Sequence, residues 1–223
     1  MSRSILGIIP ARAGSKGVIG KNKRLIEDIP LIEYTINAAK KSKELTRLVI
    51  STDDTDIIEI ANLKNIEVMQ RPPGISGDTD LVEYAVKHCL EQIDISFDGI
   101  LLLQPTAPLR SSKDIDNAIE LFFESKNRVC SVCLCEDNHP ARMYSNKNGV
   151  LQSLFPELSQ KRRQDLPNIY HRNGAIYIFT KTHLYNQGII GPNMTPYEMN
   201  IESSINIDSE FDLALFETLI KNK

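Results

Sequence analysis

The chain has 223 residues and a formal net charge of −3. That length supports one sizeable core, a single α/β domain is the default expectation, and the composition is ordinary for a soluble globular protein. The mildly acidic balance argues against a nucleic-acid binder with a broad basic face, and no apolar run approaches the roughly 18 residues of a membrane span.

The opening apolar run is also too short for a signal-peptide core, so a cytoplasmic protein is expected. Ile5 to Ile9 reads as a buried strand that ends at Pro10. A loop follows with Gly14, Gly17 and Gly20, together with Arg12, Lys16, Lys21, Lys23 and Arg24, and no acid. Glycines let backbone N–H groups approach a bound group closely. Arg and Lys supply the counter-charge of a polyphosphate. A basic, glycine-bearing loop after a first strand therefore points to an anion site in an α/β sheet. The stretch matches neither G-x-x-x-x-G-K-[ST] nor G-x-G-x-x-G. The plain alternative is a solvated basic loop.

Leu31 to Ser42 reads as a helix with Ile32, Thr35, Ile36 and Ala39 on one face. Leu48 to Thr52 is a second strand. It is followed by Asp53 and Asp54 and a helix through Ile57, Ile60 and Ala61. Ile66 to Met69 is a third strand. Arg71 to Asp80 is a Pro- and Gly-rich loop, and Asp78 or Thr79 is expected to cap the helix whose face is Val82, Ala85, Val86, Cys89 and Ile93. Ile100 to Pro105 reads as a central parallel strand. The next helix carries Ile115, Ala118, Ile119, Phe122 and Phe123, and Val129 to Cys135 is the following strand.

Alternation of strand and helix argues for a doubly wound, mainly parallel sheet. The rhythm breaks from Asp137 to Ile169, a polar excursion too long for a plain connector. Asn173 to Thr180 returns to strand, and Asn200 to Ile207 is expected as the last strand. The final helix, Ser209 to Lys221, is expected to bury Phe211, Ala214, Leu215, Thr218 and Leu219. No internal repeat or domain linker is visible, so residues 1–223 read as one domain that includes the 137–169 excursion. Cys130, Cys133 and Cys135 lack the second ligand pair that zinc needs. With Cys89 they read as reduced, buried thiols. No Ser/His/Asp arrangement is visible.

PARAGSKG (Pro10 to Gly17) followed by Lys21-Asn22 resembles the opening signature of the acid-sugar cytidylyltransferases, above all the CMP-sialic acid synthetases. STDD at Ser51 to Asp54, Arg71-Pro72, LLQPTAPLR at Leu102 to Arg110, RRQDLP with NGAIYI between Arg162 and Ile178, and IDSEFDL at Ile207 to Leu213 resemble further family motifs in the same order. The resemblance implies a Rossmann-like α/β/α nucleotidyltransferase. Its reaction would join CTP to a nine-carbon 2-keto acid sugar, N-acetylneuraminate or a relative such as legionaminate, giving the CMP-sugar and pyrophosphate. It implies Arg12, Lys16 and Lys21 as the catalytic cations. Gly14, Ser15, Asn22 and Arg71 join them on the nucleotide side. Gln104, Arg163, Gln164, Asp165, Tyr170 and Asn173 face the sugar.

Magnesium, with manganese as the substitute, would be held by Asp208, with Asn206, Glu210 and Asp212 as further donors. Many family members carry an Asp-x-Asp pair here, and Asn206 departs from it by offering an oxygen without charge. The plain alternative for Asp208 is a helix cap. Asp80-Leu81 departs from the small residues expected where the base is read. The rival readings are another sugar nucleotidyltransferase, such as a 3-deoxy-manno-octulosonate cytidylyltransferase, and a non-catalytic nucleotide-binding module. Related enzymes use the excursion to embrace a partner subunit, so a homodimer is expected. Met143, Tyr144, Val150, Leu151, Leu154, Phe155 and Leu158 would be buried in it, and Arg162 or Arg163 brought to the neighbour's pocket. Neither nucleic acid nor membrane is expected as a partner.

Overall fold

The protein is described by a computed structural model covering residues 3–14, 17–77 and 80–221. The expected site residues Ser15 and Lys16, and the expected helix caps Asp78 and Thr79, lie outside the described residues. In chain order the elements are β1 Ile5–Pro10, the short pair β2 Leu25–Ile26 and β3 Ile29–Pro30, α1 Leu31–Lys40, β4 Arg47–Thr52, α2 Thr55–Leu63 and β5 Glu67–Gln70. Then come α3 Val82–Glu91, β6 Gly99–Leu102, α4 Ser112–Ser125, β7 Val129–Leu134, β8 Tyr144–Lys147 and β9 Val150–Ser153. The chain closes with β10 Tyr170–Phe179, α5 Lys181–Gln187, β11 Thr195–Glu198 and α6 Glu210–Lys221.

Seven strands form one sheet in the order β11-β7-β10-β6-β1-β4-β5. Only β10 runs antiparallel, between β6 and β7. The sheet is therefore mainly parallel, as the alternation of elements predicts. Its inner strands β1 and β6 are buried on both faces, and the alternation of side chains divides the core. Ile5 and Ile9 of β1 pack with α1, α2 and α4, through residues such as Ile36, Ile57 and Ile119. Leu6 and Ile8 pack on the other side with Val86 and Cys89 of α3 and Leu184 of α5. Each fully buried Ile or Leu of β1 contributes about 1.5–3 kcal/mol through apolar area removed from water. From β1 the chain moves outward to β4 and β5, then crosses back to place β6 on the opposite side of β1. That reversal opens a crevice beyond the carboxyl ends of these strands.

Four readings need correction. The expected strand at Asn200 to Ile207 is instead an irregular segment with a single 3-10 turn, Ile201–Ser203. The true last strand is β11, an edge strand that tolerates Pro196 because one side needs no ladder bond. α6 buries Leu213 and Phe216, not the stripe through Phe211, which is 77% exposed, and Leu215, which is 41% exposed. Phe216 packs edge-to-face on Tyr34 with ring centroids 5.1 Å apart. β10 begins at Tyr170, three residues before the expected start. α3 opens after Leu81, which supplies no side-chain cap. The excursion contains the hairpin β8–β9, with Asn146 accepting from Gly149 at its turn. Among the described residues no helix is long and apolar enough to cross a membrane. All four cysteines are free thiols; Cys89, Cys130 and Cys133 are buried as expected, whereas Cys135 lies past the end of β7 and is only partly buried.

Candidate active site

The crevice at the carboxyl rim is a cleft of about 380 Å³. Arg12, Gly14, Lys21 and Asn22 line it from the loop after β1, Arg71 and Asp80 from the segment after β5, Gln104 to Thr106 from the turn after β6, and Asn206 and Asp208 from the segment before α6. Four chain regions distant in sequence thus converge on one place because each leaves a strand or segment at the same rim.

The basic loop is tied down at several points. Ala13 donates its N–H to Asp53 Oδ1 at 2.8 Å, Asn22 Nδ2 donates to the Arg12 carbonyl at 3.1 Å, and Arg12 Nη1 donates to the Gly77 carbonyl at 2.7 Å. Gly17 lies against the segment before α6, where an added Cβ would come within 2.1 Å of the Asp208 carbonyl oxygen. No side chain fits there. Val18 beside it is buried with Ile26, Leu31, Ile207, Leu213 and Phe216. The loop and the Asp208 segment therefore stand on a shared apolar base.

Tertiary contacts sort the loop cations into two groups. Lys23 is turned away, bonded to Asp56 at 2.6 Å and to Asp54, and these bonds raise its pKa. Arg24 reaches Glu210 at 3.6 Å. Arg12 and Lys21 remain in the cleft. Lys21 is not an exposed loop lysine: it is 8% exposed, and its Nζ donates to the Ile207 carbonyl at 2.6 Å and to Asp208 Oδ1 at 3.0 Å. The third cleft cation, Arg71, is buried under β4, with Nη2 donating to the Ser51 carbonyl at 3.0 Å. Burial lowers its pKa and nearby Asp53 works against that shift. A guanidinium remains charged at neutral pH.

The segment before α6 separates the expected metal donors. Asp212 Oδ2 accepts from the Asp208 N–H, the Ser209 N–H and the Ser209 hydroxyl, so it is Asp212 that closes the start of α6. Glu210 faces Arg24. Asp208 is not the helix cap. Its carboxylate, 67% exposed, takes Lys21 on one oxygen and Asn206 Nδ2 on the other. The Asn206 Oδ1 is buried with no hydrogen-bond partner. Among the described residues no group of three or more His, Cys, Asp or Glu is arranged to hold a metal. One carboxylate with one orphaned amide oxygen nevertheless fits Mg²⁺, which takes one or two protein oxygens and completes its shell with phosphates and water. Of the four expected donors, Asn206 and Asp208 line the cleft, whereas Glu210 and Asp212 are engaged elsewhere.

Of the residues expected on the sugar side, Gln104 lies in the cleft and the others do not line it. Asn173 is buried inside the sheet, bonded to Ser131 and Ser204. Arg163 pairs with Glu136 at 3.0 Å and Asp137 at 3.3 Å, Asp165 pairs with Arg162, and Gln164 and Tyr170 are exposed on the excursion side.

Two residues were given no site role by the sequence reading. Asp80, noted only as a departure where the base is read, lines the cleft, its Oδ2 accepting from the Gly77 N–H at 2.7 Å. Arg110, the last residue of LLQPTAPLR, is fully buried. It donates to the Gln104 carbonyl at 2.9 Å, to the Ala175 carbonyl at 2.7 Å and to the Thr35 hydroxyl. It locks the turn that presents Gln104 to β10. Burial pulls its pKa to about 9, so it is still cationic at neutral pH. The sequence signal was an arginine ending an otherwise apolar motif.

Comparison with known proteins agrees with this geometry. A protein-family profile described as Cytidylyltransferase matches residues 6–219. The chain is 33% identical over 226 residues to an N-acylneuraminate cytidylyltransferase of Escherichia coli O18:K1:H7, covering 100% of this chain and 54% of that one. It is 36% identical over 225 residues to a CMP-N,N'-diacetyllegionaminic acid synthase of Legionella pneumophila, covering 97% and 96%. The chain therefore spans about half the length of the first relative and nearly all of the second. Among solved structures, a CMP:2-keto-3-deoxy-manno-octonic acid synthetase complexed with CTP superposes with a TM-score of 0.74 at 14% identity, over 98% of this chain and 99% of that one. At that identity the likeness concerns the fold alone.

Proposed function

The chain belongs to the cytidylyltransferase family, and on that premise we propose that it activates a nine-carbon 2-keto acid sugar with CTP, giving the CMP-sugar and pyrophosphate. The observation that carries the reading is the single cleft where Arg12, Lys21 and Arg71 meet Gln104 and the Asn206–Asp208 pair. Three cations against two carboxylates, Asp80 and Asp208, suit a triphosphate, and the amide of Gln104 offers both donor and acceptor to a polyhydroxylated acid. The names of the relatives, one for N-acylneuraminate and one for a diacetyllegionaminate product, support the sugar class.

In this reading the anomeric hydroxyl of the sugar attacks the α-phosphorus. A new P–O bond forms, the bond from the α-phosphorus to the bridging oxygen breaks so that the oxygen leaves with pyrophosphate, and the hydroxyl proton passes to solvent water. Arg12 and Lys21 neutralise the phosphate oxygens and the departing pyrophosphate, so the catalysis is positioning and charge stabilisation without a covalent enzyme intermediate. Arg71, fixed by Ser51, holds the nucleotide side. Asn206 and Asp208 would hold a Mg²⁺ that, when bound, supplies further neutralisation of phosphate oxygens. Arg110 keeps Gln104 in place without touching substrate.

The same reading includes a homodimer formed through the 137–169 excursion. Tyr144, Val150, Leu151 and Leu154 stand exposed there, with Met143 and Phe155 beside them. Such an apolar group calls for a cover, and a two-fold partner supplies one. Arg162 and Arg163 lie on the same excursion, so the partner's copy could deliver them to this cleft. The enzyme is proposed to work in the cytoplasm, where CTP is made.

The test is pyrophosphate release from CTP and Mg²⁺ with a panel of acid sugars: N-acetylneuraminate, a legionaminate and 3-deoxy-manno-octulosonate. Turnover with a nine-carbon sugar supports the reading. Turnover with the octulosonate alone transfers the protein to the rival branch, and binding of CTP without turnover of any sugar supports a non-catalytic module. Light scattering reads the assembly: twice the mass of one chain is expected, and a fully active monomer contradicts the dimer.

A further inference from the structure

Strand β10 does not run evenly along β7. Arg172 pairs with Val132 and Tyr177 with Cys130, so residues 173–176 bulge from the ladder, with Gly174 at φ +75°. An added Cβ at Gly174 would stand 3.0 Å from Gln104 Oε1 and 3.6 Å from Asn206 Oδ1, so the bare glycine leaves both cleft amides their places. The bulge is therefore a wall shared by the turn after β6 and the segment that carries Asn206 and Asp208. That segment, 200–208 between β11 and α6, is irregular apart from the turn Ile201–Ser203. Irregular backbone is an unpromising mount for cation donors unless something fixes it.

A chain of three polar side chains does so. Asn173, 1% exposed, accepts on Oδ1 from the Ser131 hydroxyl at 2.6 Å and from the Ala175 N–H at 3.2 Å. Ser131 Oγ in turn accepts the Ile176 N–H at 2.7 Å. These bonds satisfy the bulge. On its other side Asn173 Nδ2 donates to Ser204 Oγ at 2.8 Å, and the Ser204 hydroxyl donates to the Asn200 carbonyl at 2.8 Å. Both ends of the amide are used, and Ser204 is joined at once to the sheet and to its own turn. Asn206 stands two residues further on. Beyond it the Ile207 N–H donates to the Thr106 carbonyl at 2.7 Å, and the Ile207 carbonyl accepts from Lys21. The segment is thus pinned at Ser204 and at Ile207, on either side of Asn206, and Asp208 follows directly.

We propose that Ser204 is a positioning residue for the cation site: anchored by Asn173, it fixes the backbone that presents Asn206 and Asp208 to the cleft. Its role is exerted through that backbone and not by contact with substrate. The inference rests on the cytidylyltransferase reading of the cleft and on its Asn206–Asp208 donor pair. Two protein oxygens are few contacts for a divalent cation, so affinity depends on how firmly the two are held in one arrangement. A residue that orients metal donors without touching the metal commonly changes the affinity by about tenfold.

The experiment compares wild type, Ser204→Ala, Ser204→Thr and Ser42→Ala, each checked for fold by circular dichroism. Ser42 is the control: its hydroxyl donates to Asp116 between α1 and α4, away from the cleft, so its loss lowers stability alone. Mn²⁺ binding is read by electron paramagnetic resonance with CTP present and no sugar, so that nothing turns over. Ser204→Ala leaves Asn173 without its acceptor, and the Kd for Mn²⁺ rises about tenfold. Ser204→Thr keeps the hydroxyl and stays within about twofold of wild type, as does Ser42→Ala. Amide hydrogen exchange over residues 200–208 is measured in parallel; it accelerates in Ser204→Ala and not in Ser204→Thr. An unmoved Kd in folded Ser204→Ala, or an equal loss in Ser42→Ala, overturns the positioning role. Unchanged exchange over 200–208 overturns the anchor itself. Wild type that binds CTP but no Mn²⁺ defeats the donor pair and the role of Ser204 with it. Intact Mn²⁺ binding without turnover of any acid sugar defeats only the sugar half of the reading, and the titration then still decides the role of Ser204.

Discussion

Replacing Asn206 by Asp probes the proposed metal site most sharply, because it changes one charge at a fixed place. In this structure Asn206 Nδ2 donates to Asp208 Oδ2, and Asn206 Oδ1 is buried without a partner. Asn206→Asp removes the donor and sets two carboxylates side by side. At about 4 Å their repulsion is roughly 1 kcal/mol in water and about 4 kcal/mol at an effective dielectric of 20. Asp208 is 67% exposed, which favours the lower end. Taking about 1–2 kcal/mol, the metal-free melting temperature falls by about 2–8 °C for a chain of this size. Magnesium then finds a second full charge, and its apparent affinity, read from the Mg²⁺ dependence of turnover with CTP saturating, tightens by at least about tenfold. The two readouts must move in opposite directions: lower stability without metal, stronger response to metal. A variant with wild-type melting temperature and wild-type Mg²⁺ dependence would refute the placement of Asn206 at the metal.

The buried Lys21 makes Lys21→Ala a loss on two counts. kcat/KM for CTP falls by more than about tenfold, and the melting temperature drops as well, because the Ile207 carbonyl and Asp208 lose their partner. An unchanged rate in folded protein removes Lys21 from the phosphate site. Asp212→Ala loosens the start of α6 by about 1 kcal/mol at neutral pH. The folded-state pKa of Asp212 is lowered, first by the Ser209 hydroxyl. Its stabilisation is therefore complete above the ordinary carboxylate value and is lost as pH falls through its own lower pKa. Chemical unfolding should show the gap between wild type and Asp212→Ala closing in acid, and a gap independent of pH excludes the carboxylate as the cause. Burial lifts the thiols of Cys89 and Cys130 to about 11. Iodoacetamide at pH 7.5 should label these two only after denaturation, and rapid labelling of native protein contradicts their burial.

Much of the fold was legible because hydrophobic period reports burial directly. The faces of α1, α3 and α4, and the strands β1, β4 and β7, follow from spacing alone. The failures share a cause: a local pattern with more than one satisfactory reading. α6 carries two apolar stripes, and only the position of Val18, Ile207 and Tyr34 decides that Leu213 and Phe216 go inward. Ile201, Ile205 and Ile207 imitate a strand, whereas the real edge strand β11 is disguised by Pro196. At the site, residue type and motif order marked Arg12, Lys21, Arg71, Gln104 and Asp208. Sequence could not show that Lys23 and Arg24 are consumed by acids, or that Asp212 closes α6, since those partners lie tens to hundreds of positions apart or compete within one turn. It also left Arg110 without a role, because what that arginine does depends on the Ala175 carbonyl of β10 and the Thr35 hydroxyl of α1, which only the fold brings near.

The central claim is nucleotidyl transfer to a nine-carbon acid sugar in the cleft at the sheet's carboxyl rim. The most direct measurement incubates purified protein with CTP, Mg²⁺ and N-acetylneuraminate or a legionaminate, and identifies the products by mass spectrometry. A CMP-sugar formed in equal amount with pyrophosphate, and lost in Arg12→Ala and Asp208→Asn, is the predicted result. CTP binding with no CMP-sugar from any nine-carbon 2-keto acid, in folded protein with Mg²⁺ or Mn²⁺ present, would contradict it.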